Sequence, residues 1–352
     1  MKQMLGNSRH LLYFIALTLF LMKDRMKAVL MRGFGGPEVL YIGETDMPVM
    51  GDGEVLVRVR ATALNRADTY QRRGFYQPPA GSSEILGLEM AGEVVAVGKD
   101  CLRYKVGDRV FALLSGGGYA EYVSVDERLV MPIPEGISFE EAGGIAEVFL
   151  TAYQALFWLG NLQAGDRVLI HAGASGVGTA AIQLARLAGA SEIFVTASTM
   201  EKLTVCKELG ASSLIAYKSE DFAERVLKET DGKGVDVIID FVAASYLKRN
   251  LDCIAVDGRM VLLALLGGRK GEIDLRKVLR KRVRIQGSTL RARSLGYKGE
   301  LCKAFEERFL AGFVGGDLRV VVDRVLDWER VREGHEWMEG CFNVGKVILG
   351  VG

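Results

Sequence analysis

The sequence predicts an α/β protein built from a β-rich region and a doubly wound parallel sheet. Three observations predict it: strand-length segments broken by glycine turns over residues 26–147, short apolar strands alternating with helix-length stretches after residue 148, and a glycine-rich turn between the first such strand and its helix. The 352 residues suit two domains and are ample for a large core. Apolar residues make up 49% and charged residues 25%, which excludes wholesale disorder and collagen-like repeats. With 45 basic and 44 acidic side chains the formal charge is +1, which argues against a globally cationic nucleic-acid or membrane-surface binder. Glycine is abundant at 43 residues and proline scarce at 6, a balance that fits tight turns inside ordered structure.

In the first region strands are expected at 27–31, 54–61, 92–97, 109–114 and 119–123. Alternation along 55–60 puts Val55, Val57 and Val59 on one face, as a half-buried antiparallel strand requires. The second region reads as strands at 167–172, 192–197, 213–216, 235–241, 259–266 and 283–287. Helices are expected at 178–188 and 201–209, the latter closed by Gly210 at a natural C′ position. Strands alternating with helices imply parallel pairing through right-handed crossovers. Residues 289–352 carry an amphipathic helix near 301–310 and end in a strand at 346–351.

Residues 11–22 form an apolar run in which only Thr18 is polar. Twelve residues are too few to cross a bilayer core that takes about 20, so no stable membrane span is expected. No small-x-small cleavage pattern follows, and residues 1–25 are read as an extension outside the fold, either a weak anchor or the product of an upstream start codon. A cytoplasmic location is expected, with a signal or weak anchor left open by this extension. Cys101, Cys206, Cys253, Cys302 and Cys341 are widely spaced with no C-x-x-C pair, which indicates reduced thiols and no zinc cluster. The basic stretch 269–284 lacks interleaved aromatics and reads as a solvated helical face, not a nucleic-acid site.

The turn Gly173-Ala174-Ser175-Gly176-Val177-Gly178 follows a strand and opens a helix. Glycines there allow a sharp turn, and the backbone N–H groups and helix dipole favour a pyrophosphate. Ser175 stands where the middle glycine of the fingerprint is usual. At the end of the second strand, enzymes that select the unphosphorylated dinucleotide place an acid for the ribose hydroxyl. Here the chain reads Thr196-Ala197-Ser198-Thr199, with Lys202 one turn on and Tyr217 after the third strand. A hydroxyl and an ammonium suit a 2′-phosphate, so NADPH is expected over NADH.

Several stretches match one family together: Ala63-Leu64-Asn65-Arg66-Ala67-Asp68, Gly87-Leu88-Glu89 with Ala91-Gly92-Glu93-Val94, Val106-Gly107-Asp108-Arg109-Val110, Gly117-Gly118-Tyr119-Ala120-Glu121-Tyr122, and the glycine-rich turn with Gln183 and Arg186 beyond it. The chain from Met26 onward resembles the zinc-free quinone oxidoreductase branch of the medium-chain dehydrogenase/reductase superfamily, most closely its p53-inducible protein 3-type members. The resemblance implies a GroES-like catalytic domain made from residues 26–147 and 289–352, a Rossmann NADPH-binding domain over 148–288, and a homodimer. Zinc-dependent relatives carry Cys where Asn65 stands and His where Leu88 stands, and a leucine cannot ligate zinc. The resemblance further implies hydride delivery from NADPH to a quinone, with Asn65 and Tyr76 as donors to the acceptor oxygen. It places Thr151, Gly173, Ser175, Gly176, Val177 and Gly178 on the pyrophosphate side. Ser198, Lys202 and Tyr217 fall at the 2′-phosphate, Leu265 and Leu266 near the nicotinamide, and Asn343 and Lys346 as C-terminal cofactor contacts. His171, inside a strand, reads as a packed core histidine.

The chain departs from the family at Asp240-Phe241-Val242-Ala243-Ala244, where glycines are usual, and at Ala146, where proline commonly precedes Glu147. Reduction of enones or enals, and NADPH binding without catalysis, remain open beside quinone reduction.

Overall fold

The computed structural model describes residues 24–352. The apolar run at 11–22 lies outside them, and no helix among the described residues is long and apolar enough to cross a membrane. The expected boundary at residue 25 moves, because Arg25 opens the strand Arg25–Met31. That strand pairs antiparallel with Leu40–Asp46, Arg25 bonding Asp46 at 2.8 Å, while the Met47 N–H donates to the Asp24 carbonyl. The fold therefore includes residues 24 and 25.

A six-stranded sheet carries Ser213–Ala216, Glu192–Ala197, Arg167–Ile170, Val235–Asp240, Ile254–Leu262 and Arg284–Gly287 in that spatial order, with every pairing parallel. In order of appearance this is 3-2-1-4-5-6, and the reversal between the first and fourth strands opens a crevice at their carboxyl ends. Apolar runs such as Val235–Asp240 suit strands covered on both faces. The strand expected at 259–266 instead spans Ile254–Leu262, which leaves Leu265 and Leu266 in a loop at that same edge, both about half exposed.

The second sheet has seven strands. Its central strand, Glu54–Ala63, pairs antiparallel with Glu89–Val97 on one side and with the C-terminal Lys346–Gly350 on the other. Segments from before and after the parallel sheet thus build this sheet, and the parallel sheet is inserted between them in sequence. The strand expected at 119–123 forms later, at Tyr122–Asp126, because Tyr119 and Ala120 bond the N-terminal strand instead. The C-terminal helix starts six residues before its expected first residue, at Leu295, since Ser294 caps it by accepting from the Tyr297 N–H. Within the basic stretch, Lys281 donates to the carbonyls of Leu251, Asp252 and Ile254, closing the end of the helix Leu247–Cys253. Part of that positive charge therefore serves the fold and does not face solvent.

Candidate active site

The centre of the site is Glu89, fully buried at the start of its strand. Its Oε1 accepts from Lys346 Nζ at 2.7 Å and from Asn65 Nδ2 at 2.9 Å, and its Oε2 accepts from the Glu147 N–H at 2.9 Å. Lys346 Nζ also donates to Asn65 Oδ1 at 2.8 Å and to the Leu64 carbonyl at 3.0 Å. An ammonium has three donors, and all three are used. The orientation of the Asn65 amide follows, because the lysine donor requires the oxygen on its side and the carboxylate requires the nitrogen.

Local sequence explains how these groups arrive. Asn65 is the N-cap of the helix Arg66–Arg72, and its N–H donates to Asp68 Oδ2 at 2.8 Å, with Asp68 at the third helical position. Asp68 Oδ1 accepts from the Gly87 N–H, which fixes the Gly87-Leu88-Glu89 segment against this helix start. Glu147 lies in the first turn of the helix Ala146–Tyr153. Lys346 follows Gly345, whose φ of +74° suits glycine and whose place an added Cβ would contest with the Val321 carbonyl at 2.1 Å.

The glycine-rich turn adjoins this cluster. Ser175 caps the helix Gly176–Leu187, its Oγ accepting from the Gly178 N–H at 3.1 Å, so a serine serves where the fingerprint has glycine. Gly345 bridges Ser175 and donates to the Ala174 carbonyl at 2.8 Å. A Cβ on Gly176 would lie 2.9 Å from both Lys346 Cδ and Val148 Cγ1, so the bare glycine is what lets the lysine stem pass. Gly173 and Val177 complete the turn, and Thr151 stands partly exposed on the adjoining helix Ala146–Tyr153.

At the ends of the next two strands, Ala197 pairs with Ala216, which brings Ser198, Lys202 and Tyr217 to one edge, all partly or well exposed. Lys202 Nζ donates to the carbonyls of Cys341 at 2.6 Å and Asn343 at 3.1 Å, leaving one of its three donors. The Asn343 amide bonds its own loop, at Gly345 O.

Residues 51–135 match the family described as alcohol dehydrogenase GroES-like domain, and residues 176–305 the one described as zinc-binding dehydrogenase. A quinone oxidoreductase of Lama guanicoe is 33% identical over 329 residues, covering 92% of this chain and 97% of its own length. The chain belongs to the quinone oxidoreductase branch of the medium-chain dehydrogenase/reductase superfamily. It is an oxidoreductase on a fold that binds nicotinamide dinucleotides. Two solved structures share this fold with a TM-score of 0.83 each: an NAD-dependent alcohol dehydrogenase, 34% identical and covering 93% of this chain and all of its own, and mycobacterial Rv1454c complexed with NADPH, 29% identical with the same coverage.

In this oxidoreductase the two expected donors to the acceptor occupy different situations. The Asn65 nitrogen donates to Glu89 Oε1 at 2.9 Å and, longer, to the Ala63 carbonyl at 3.4 Å, and its oxygen accepts from Lys346, so Asn65 positions Glu89 and Lys346 and both its N–H donors already have protein partners. The Lys346 ammonium is likewise saturated, and only its stem reaches the glycine-rich turn. Tyr76, in a loop and partly exposed, lies under Arg291, whose Cζ is 5.4 Å from the ring centroid. Burial, with a smaller contribution from Glu147, raises the Tyr76 hydroxyl above the ordinary tyrosine range. The hydroxyl therefore keeps its proton and can donate it in a hydrogen bond.

Sequence reading passed over Glu147, Asp68, Arg291 and Lys298. Burial and the neighbouring Glu89 carboxylate push Glu147 up to about 8, and burial takes Asp68 to about 6. Glu147 is thus a weaker acid than an ordinary glutamate, and its charge reaches the Tyr76 hydroxyl. The only sequence sign of it was an acid in the first turn of a helix. His171 is buried, its two ring nitrogens bonded to Thr196 and Asn250, as a core histidine would be. Ala243 adopts φ +65°, held by Asp240 Oδ1 accepting from the Val242 and Ala243 N–H groups. The left-handed conformation costs a non-glycine residue about 1 kcal/mol, so the departure from glycine is a restrained turn beside the crevice.

Two consequences are measurable. Lys346→Met leaves Glu89 charged and uncompensated, and should cost about 3–5 kcal/mol of stability in urea unfolding, most of it regained in the Lys346→Met/Glu89→Gln double variant; a single-variant loss under about 1 kcal/mol would remove the ion pair from its central place. Glu147 holds its proton in the folded state to about pH 8, whereas an ordinary glutamate releases it near 4.5. The folded state binds more protons in that window, so Glu147 makes stability fall as pH rises through it. Glu147→Gln should flatten the fall, and an unchanged stability–pH profile would contradict the raised pKa of Glu147.

Proposed function

We propose that the enzyme is a zinc-independent quinone reductase that takes its reducing equivalents from NADPH. The observation that carries this reading is Tyr76, its ring packed against Arg291 and its hydroxyl within reach of the charge of Glu147, an acid raised to about 8, in a cluster joined through Lys346 and Gly345 to the glycine-rich turn. Bound NADPH supplies a hydride. A quinone that receives it also needs a proton, giving hydroquinone and NADP+ overall. Tyr76 is placed to hydrogen-bond the developing oxyanion, and Glu147 to furnish the proton. The shield around Glu89 and Lys346 holds both helix starts still while this occurs.

Zinc independence is supported by donor chemistry. The buried, apolar Leu88 occupies the position of a ligand histidine in zinc-dependent relatives, and the Asn65 amide is spent on Glu89 and Lys346. The preference for NADPH is supported by the remaining Lys202 donor beside Ser198 and Tyr217, and by the lack of an acid at this strand end.

An initial-rate panel of quinones and enones with both nicotinamide cofactors tests the reading. Quinones with NADPH should be the best pair. Turnover of enones with none of quinones would make the enzyme a double-bond reductase, and tight NADPH binding with no acceptor reduced would make it a binding protein. Lys202→Ala should weaken NADPH by about 1.5–3 kcal/mol and NADH far less, the size of hydrogen bonds to charged groups; equal losses in calorimetric titrations would take Lys202 out of cofactor selection.

A further inference from the structure

Arg291 is 4% exposed, and its Nε donates to the Ser115 carbonyl at 2.9 Å. Its Nη1 and Nη2 are buried and have no hydrogen-bond partner among the described residues. Leaving such donors unused inside a protein is costly, and a guanidinium cannot shed its charge to escape the cost. The neighbouring acids do not answer it. Both oxygens of Asp68 accept from other groups, namely the Asn65 N–H, the Gly87 N–H and the Tyr119 hydroxyl. Both oxygens of Glu89 are taken by Lys346, Asn65 and the Glu147 N–H.

The charge balance points the same way. Glu89 and Lys346 neutralise each other, and Glu147 is protonated at neutral pH. Lys298 adds a second cation, its Nζ donating to Ser115 Oγ at 2.8 Å, so Ser115 joins the two basic residues. The partly exposed Tyr76 ring lies over the guanidinium, which puts Arg291 at the place where the acceptor is proposed to bind.

We propose that Arg291 anchors a carboxylate carried by the electron-poor acceptor, through its two unused Nη groups, with Lys298 contributing a second positive charge. The proposal rests on the quinone-reductase reading for the identity of the rest of the substrate. A planar guanidinium fork matches the two oxygens of a carboxylate, whereas a lysine offers a point charge. A substrate so held is fixed at one end, and its ring lies against Tyr76.

The test uses a matched pair, 3-(1,4-naphthoquinon-2-yl)propanoate and its methyl ester, and a non-reducible pair, 2-naphthoate and 2-naphthamide, titrated calorimetrically into the NADPH-loaded protein. Wild type should prefer each acid over its neutral partner by roughly tenfold or more in kcat/KM or Kd, the effect expected of charge-assisted hydrogen bonds. In Arg291→Gln both ratios should fall to about one, and Arg291→Lys should lie between. Because each ratio compares two ligands on the same protein, a general loss of activity does not alter it. Should Arg291→Gln fail to fold, the wild-type and Arg291→Lys ratios decide. Equal handling of acid and neutral partner by wild type, or ratios unmoved by the substitutions, overturns the carboxylate subsite even if quinones are reduced. Selective binding of naphthoate with no quinone turnover would instead overturn the reductase reading and leave the subsite standing.

Discussion

A single buried carboxylate sets the terms for the rest of this molecule. An ionised glutamate without solvent is tolerable only if each lone pair is answered, and Glu89 is answered from three directions: the helix start at Asn65, the helix start at Glu147, and the C-terminal strand at Lys346. None of these groups can move independently. Asn65 must present its oxygen to Lys346 because its nitrogen faces Glu89, and Lys346 must lie straight across Gly176 because its ammonium has three fixed acceptors. The seven-stranded sheet is thereby fixed by charge as well as by packing, and it meets the glycine-rich turn through the Gly345 N–H on the Ala174 carbonyl and the lysine stem across Gly176.

The same carboxylate prepares the chemistry of its neighbour. Glu147 gives its backbone N–H to Glu89, and burial together with the Glu89 charge raises its own carboxyl to about 8. An acid that holds its proton at neutral pH is what a hydride acceptor requires when its oxygen becomes basic.

The fold was largely legible because its signals are local. Alternation in 55–60, the closing Gly210 and the turn 173–178 each declare their structure within a few residues, and six strand positions were sufficient to imply the parallel sheet. Boundaries slipped where a long-range partner intervened, as at Tyr119 and Ala120, which pair with the N-terminal strand and delay the next strand to Tyr122. The site was less legible for the same reason in stronger form. The partners of Glu89 are 24, 58 and 257 residues away in sequence, so no spacing rule could show that Asn65 and Lys346 spend their donors on each other's neighbour. Motif likeness assigned Asn65 to the acceptor and Lys346 to the cofactor, and could not say that both face Glu89.

The C-terminal segment 341–346 converts this arrangement into one continuous connection. At one end the carbonyls of Cys341 and Asn343 hold Lys202, beside the edge where a 2′-phosphate would lie. In the middle Gly345 is bonded to the glycine-rich turn, and at the other end Lys346 enters the buried cluster. Cys341 and Gly345 both have positive φ, at +55° and +74°, so the segment is kinked at two points and offers little slack between them. A strap of six residues therefore links the adenosine side of the crevice to the carboxylate that fixes Glu147. Lys202 and the start of the helix carrying Glu147 are thereby connected through one short stretch, 341–346, and the buried Glu89.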